Sequence, residues 1–176
     1  MSLNFRKDNR TSEKFAADLK RYAKEEAIIA EAIRLHLEEI NNSKCSIIDI
    51  GIDSSGNIID GLLKHHNVDR EYVINQNTIK VEIKTAPHDE FLTFKVSSLK
   101  TAIKQNAYIV IVVKSQKKGF FLLTKAKMES IIKREPKIYS AFSPNDMAIR
   151  VYKNEFNLFL QYKQWFPKAL EYIQSL

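Results

Sequence analysis

At 176 residues, with 44% hydrophobic residues, only 4 Gly and 4 Pro, and no repeat or low-complexity tract, the chain can fill one core and is too short for two full domains, so a single domain over residues 1–176 is expected. No apolar run reaches the ~18 residues of a membrane span, M-S-L-N-F-R-K-D-N-R lacks the apolar core of a signal peptide, and the lone Cys45 excludes a disulfide framework or cysteine metal cluster, which together lead us to expect a soluble cytoplasmic protein with no membrane partner. The charge of +7 is uneven: Lys100 to Lys137 holds ten basic and two acidic residues, whereas Glu25 to Asp53 is acid-rich, a segregation that points to nucleic acid as the partner.

From Ser12 to Asn41 the sequence lacks Gly and Pro and repeats apolar residues at helical spacing, which predicts one long helix with Ser12 as N-cap. At 100° per residue Phe15, Leu19, Tyr22, Ile29, Ile33, Leu37 and Ile40 fall on one stripe. Glu26 falls in the middle of that stripe, an unusual place for an acid, while Glu31 falls on the far side and is expected to be solvated. Two β-rich runs in S-I-I-D-I-G-I-D-S-S-G-N-I-I-D-G predict a hairpin about D-S-S-G-N, with Asp49, Asp53 and Asp60 read as turn residues. The adjacent His65 and His66 would face opposite ways in a strand, which argues against a zinc site.

V-D-R-E-Y-V-I-N and T-I-K-V-E-I-K-T flank Gln76-Asn77 and predict a second hairpin. Pro87 breaks the pattern, and Ser97 or Ser98 is expected to cap a helix running to about Gln105. Y-I-V-I-V-V is a β-branched run of the kind found in a strand buried on both faces. F-F-L-L-T then reads as a strand, K-A-K-M-E-S-I-I-K-R as a helix and Ala148–Tyr152 as an edge strand. The aromatic tail over 155–176 is expected to be helical, with a break at Pro167.

The chemistry gathers around T-I-K-V-E-I-K-T-A. Because strand side chains alternate, Glu82 and Lys84 share one face while Val81 and Ile83 share the other. Such alternation alone also describes a solvated face, and Asp69 alone also reads as a strand-end aspartate. If the two strands pair around Gln76-Asn77, however, Asp69, Glu82 and Lys84 meet at one end of the sheet. Two carboxylates a few ångströms apart repel unless a cation lies between them, and Mg2+ is held in this way.

This arrangement resembles the PD-(D/E)XK, or restriction-endonuclease-like, nuclease superfamily over roughly Glu26 to Val113. The resemblance rests on Asp69, on Glu82-Ile83-Lys84 and on the α-β-β-β-α-β order around them. Val68 stands where the name-giving proline would be. The resemblance implies an α/β fold with a restriction-endonuclease-like core, a central mixed sheet flanked by helices. It further implies that Asp69 and Glu82 hold Mg2+ or Mn2+, that Lys84 is the catalytic lysine, and that an acid on the first helix, Glu26, completes the site. Nucleases of this type often act as homodimers, so a homodimer is a possible partner arrangement.

Lys95, which leads into the following helix, Lys100 and Lys104, four residues apart on one helix face, and Lys117-Lys118 are the candidate phosphate contacts. The expected function is thus a metal-dependent endonuclease acting on DNA. The alternatives are a non-catalytic nucleic-acid-binding module and an accessory subunit of a restriction or mobile-element system that uses the aromatic tail as its contact surface. An acid–x–lysine signature favours the enzyme, since carboxylates beside phosphate only repel unless a cation intervenes.

Overall fold

A computed structural model of the chain describes residues 12–50, 70–86, 91–113, 119–134, 138–139 and 147–176. The first helix, α1 (Ser12–Asn41), is followed by β1 (Cys45–Asp49), β2 (Arg70–Ile74), β3 (Asn77–Ala86) and β4 (Phe91–Lys95). Then come α2 (Val96–Lys104), β5 (Tyr108–Val113), β6 (Gly119–Leu123), α3 (Lys125–Ile132) and β7 (Ile138–Tyr139). The chain closes with β8 (Met147–Tyr152), a 3-10 turn at Lys153–Glu155, β9 (Asn157–Leu160) and α4 (Tyr162–Ser175). A central six-stranded sheet has the order β1-β2-β3-β5-β6-β9. It is mixed: β3 and β5 run parallel, while β1–β2, β2–β3, β5–β6 and β6–β9 are antiparallel. A second sheet, β4-β8-β7, is antiparallel. The structure is therefore the mixed α/β arrangement expected, a central sheet flanked by helices.

Alternation along the strands sorts the core into two layers. Ile29 and Ile33 of α1, Trp165 and Ala169 of α4, and Val81, Ile83, Val110 and Val112 of the sheet form one cluster. On the other face Ile109 and Ile111 pack with Leu99 and Ala102 of α2, Met128 and Ile131 of α3, and Phe94, Ile149 and Val151 of the second sheet. Strand β5 thus contributes to both clusters, as its unbroken apolar run predicts. Tyr72, fully buried in β2, donates from its hydroxyl to the Ala30 carbonyl at 3.1 Å and ties α1 to the sheet. Burial holds that phenol protonated by pushing its pKa far up.

Several elements differ from the sequence expectation for identifiable reasons. The β2–β3 turn is Asn75-Gln76, with φ of 48° and 64°, while Asn77 already pairs with Ile74. Left-handed backbone at both central positions is that of a type I′ hairpin turn, which Asn75-Gln76 adopts one residue upstream of the expected pair. Helix α2 starts at Val96 with Lys95 as N-cap and no side-chain cap. Burial of Val96, Leu99 and Ala102 sets its start, so neither Ser97 nor Ser98 acts as cap.

Strand β8 is the middle strand of the second sheet, between β4 and β7, not an edge. The aromatic tail is not wholly helical, since Asn157–Leu160 joins the central sheet as β9. Helix α4 runs through Pro167 without a break. The lost hydrogen bond is offset by burial of Trp165 and Ala169 on either side of it and by Tyr162 stacked on Phe166 at 4.6 Å. The stretch predicted as the second arm of the first hairpin, with its D-S-S-G-N turn, lies outside the described residues, as do the side chains of Phe15 and Leu19. Of the predicted α1 stripe, Ile29, Ile33 and Leu37 are buried, whereas Tyr22 and Ile40 are exposed. Among the described residues no helix is long and apolar enough to cross a membrane.

Candidate active site

Glu82 and Lys84 project from the C-terminal half of β3, in register with Ile109 and Ile111 of parallel β5. Val81 and Ile83 between and beside them enter the α1 layer, so Glu82 and Lys84 point to the face covered by α2, α3 and the second sheet. Glu82 is 4% exposed, and the Lys84 ammonium lies 2.5 Å from its Oε1 with the lysine side chain 45% exposed. A carboxylate taken out of water needs compensation of this kind, because desolvation of an unpaired ion costs several kcal/mol. The result is an acid held inside the fold by a cation that stands at the solvent boundary.

On the opposite face of the same strand end lies a buried residue that the sequence reading passed over. Arg70 opens β2, pairs across from Val81 and is 2% exposed. Its Nε lies 3.2 Å from Asp49 Oδ1 in an ion pair, and its Nη1 is buried without a hydrogen-bond partner. The signal was present in the alternation: Arg70, Tyr72 and Ile74 share the inward face of β2. Asp49, read as a turn residue, is instead the last residue of β1 and the counter-ion of Arg70.

Glu26 is half-buried on α1, in the layer that packs on the Val81–Ile83 face, so α1 and the Glu82 carboxylate lie on opposite faces of the sheet. Glu31 is not solvated as expected. It accepts from Arg34 Nη2 at 2.5 Å and is almost as buried as that guanidinium. Arg34 also bridges to Glu38 at 2.7 Å and lies 5.0 Å over the Tyr172 ring. The hydrogen bond that Arg34 donates to Glu31 raises the Arg34 pKa further above its ordinary value. The Cys45 amide and the Arg34 charge outweigh burial to hold the Glu38 carboxyl below the usual range. These charges hold α1 to β1 and α4, which is why Glu31 is drawn in from its predicted solvated position.

Lys100 and Lys104 are exposed on α2, and Lys95 is half-exposed just before it, all in the layer that Glu82 and Lys84 face. Asp69, Lys117 and Lys118 lie outside the described residues. An apolar pocket of about 190 Å³ lies on the α1 side of the sheet, lined by Ile33, Leu37, Val81, Val110 and Phe159 among others, and includes no candidate site residue. Among the described residues no three His, Cys, Asp or Glu converge on a common point that could hold a metal. The Glu82 carboxylate is one oxygen donor of the kind a hard divalent cation takes.

The sequence matches no protein-family model and no curated protein. A solved structure, that of a nuclease from a fusselovirus, is similar to this chain with a TM-score of 0.51 and 7% identity, over 94% of this chain and 98% of that one. At that identity the likeness is one of fold, shared over nearly the full length of both chains.

Proposed function

We propose that the chain is a metal-dependent endonuclease of the PD-(D/E)XK type that hydrolyses DNA phosphodiester bonds. The observation that carries this reading is the buried Glu82 carboxylate paired with the half-exposed Lys84 ammonium, facing the layer that holds Lys100 and Lys104. Similarity in fold to a viral nuclease supports it. In this reading Glu82 and Asp69 hold Mg2+ or Mn2+. Asp69 immediately precedes Arg70, and Arg70 pairs with Val81 next to Glu82, so the chain itself limits how far the two acids can separate. When bound, such an ion supplies an activated water and neutralises charge that builds up on the phosphate.

The chain's own residues do the rest. Lys84 is ion-paired with Glu82, and its half-exposed ammonium stabilises negative charge on the phosphate in the transition state. Lys95, Lys100 and Lys104, with Lys117 and Lys118, bind flanking phosphates and set the strand over the site. Glu26 is the proposed third acid.

Incubation with supercoiled plasmid in Mg2+, Mn2+ or EDTA tests the proposal. Wild type is expected to nick plasmid with metal and stop with EDTA, and Glu82→Gln, Asp69→Asn and Lys84→Ala to lose roughly a hundredfold or more in rate. By calorimetry Glu82→Gln and Asp69→Asn should also lose metal binding, whereas Lys84→Ala should keep most of it. Nicking at the wild-type rate by all three variants would show the site assignment to be wrong.

A further inference from the structure

The outward face of the second sheet brings an aromatic pair and cations together. Leu92 and Phe94 of β4 and Ile149 and Val151 of β8 turn inward to the core, so alternation turns Phe91, Thr93 and Lys95, with Arg150 and Tyr152, outward. Phe91 pairs directly with Tyr152 across the two strands, and Thr93 pairs with Arg150. The Phe91 and Tyr152 rings meet edge to face with centroids 6.0 Å apart, and the Arg150 guanidinium lies 4.8 Å over the Phe91 ring. Tyr152 is 50% exposed, and Arg150 and Thr93 are exposed beside it.

Glu155, which lies beside this patch, is already engaged. Glu155 accepts from the Tyr152 amide at 2.8 Å and is paired with Arg134. A cross-strand aromatic pair stabilises a hairpin wherever it sits, but it needs neither half-exposure nor a guanidinium stacked at its edge. An exposed Tyr152 ring beside a half-buried Phe91 ring, bordered by cations, suits a chain that presents both flat apolar faces and phosphates. Single-stranded nucleic acid is that chain, because its unstacked bases are free to lie on aromatic side chains. A closed duplex offers this face its phosphates alone.

We infer that the outward face of β4 and β8 is a stacking platform for unpaired nucleotides, with Phe91 and Tyr152 taking bases and Arg150 and Lys95 taking the adjoining phosphates. The inference rests on the nuclease reading and refines it, since it makes a single-stranded or branched substrate the preferred one. Only residues 87–90 separate the strand that carries Lys84 from the one that carries Phe91. Seven residues from Lys84 to Phe91 span at most about 25 Å, so a strand held on the platform stays within reach of the site.

Fluorescence anisotropy of labelled oligothymidylate, and of a blunt duplex of equal length, tests this in EDTA, where no cleavage intervenes. Tyr152→Ala and the double variant Phe91→Ala/Tyr152→Ala should weaken oligothymidylate binding roughly tenfold or more, with a much smaller change for the duplex. Tyr152→Phe, which keeps the ring, should bind as wild type does. Arg150→Ala should weaken both ligands and lower the salt slope of each by about one.

Far-ultraviolet circular dichroism checks the fold, and half-exposed Tyr152 allows a single substitution that spares the core. Unchanged oligothymidylate binding by folded Tyr152→Ala overturns the platform, as does a change of oligomeric state in its place. Plasmid nicking by wild type, measured in parallel, separates the two readings. Nicking without a platform effect removes the platform alone, and a platform effect without nicking removes the nuclease assignment alone.

Discussion

Three glutamates on or near one sheet meet different fates, and the difference lies in what neutralises each. Glu82 is buried against an ammonium at 2.5 Å, Glu31 is locked to Arg34, and Glu39 sits exposed with Lys168 at 2.8 Å. Glu31 is thus a poor reference for the role of Glu26, because removing its charge strips a part-buried guanidinium of a partner and costs stability by itself. Glu39 is the better reference, since an exposed pair contributes about 0–1 kcal/mol. If Glu26 completes the site, Glu26→Gln should cut plasmid nicking at least tenfold while Glu39→Gln leaves it within twofold of wild type. Equal rates for the two variants would remove α1 from the chemistry.

At the scale of elements, α4 and β9 close the α1 side of the core through one histidine. His36 meets Phe159 and Trp165 edge to face, with ring centroids at 5.2 and 4.9 Å, and its Nδ1 is buried without a hydrogen-bond partner. Burial lowers its pKa below the ordinary imidazole value; Glu39 opposes that shift and Lys168 adds to it. The unfolded chain therefore takes up this proton more readily than the folded one. The corresponding stability is fully present above the ordinary value of about 6.5 and is lost as pH falls below it. The urea midpoint should fall between about pH 7.5 and about pH 5.5 more steeply for wild type than for His36→Phe. Equal falls would assign the acid sensitivity to other groups.

Strand β9 also approaches the start of β6 closely. A Cβ on Gly119 would lie 2.7 Å from the Leu160 carbonyl oxygen and 2.5 Å from Leu158 Cδ1. The backbone atom cannot step aside without breaking the β6–β9 pairing. Gly119→Ala is accordingly expected to destabilise the fold by about 1–3 kcal/mol, read from denaturant midpoints at unchanged m-value. A stability equal to wild type would mean that β9 can shift outward at no cost.

Across the whole molecule, the two layers divide the work. The α1–α4 layer is a packed apolar support stitched by Arg34, while the α2–second sheet layer carries exposed Lys100 and Lys104 and is the one Glu82 and Lys84 face. The aromatic tail belongs to the support: Trp165 is buried, and Phe159, Tyr162 and Phe166 pack against that core. Leu158, Tyr172 and Ile173 of the tail remain exposed. If the basic layer meets the nucleic acid, log affinity for duplex should fall linearly with log salt. Lys100→Ala with Lys104→Ala should then reduce the slope by about two. A slope near zero in the wild-type protein would take nucleic acid off the list of partners.

Local periodicity was sufficient to determine α1, the alternating β3, the doubly buried β5 and the shared face of Glu82 and Lys84, because each depends only on residue spacing within one element. Pairing at long range lay beyond it. That β8 lies between β4 and β7, that 157–160 leaves the tail to join β6, and that α4 runs through Pro167 depend on contacts between residues far apart in the chain. The same holds for the charges. Sequence placed Glu82 and Lys84 on one face, but only the packed layers decided that this face turns away from α1, that Glu31 is drawn in by Arg34, and that Arg70 is buried against Asp49. A side chain's period says which neighbours it shares a face with; what covers that face is decided by elements whose arrival no local pattern encodes.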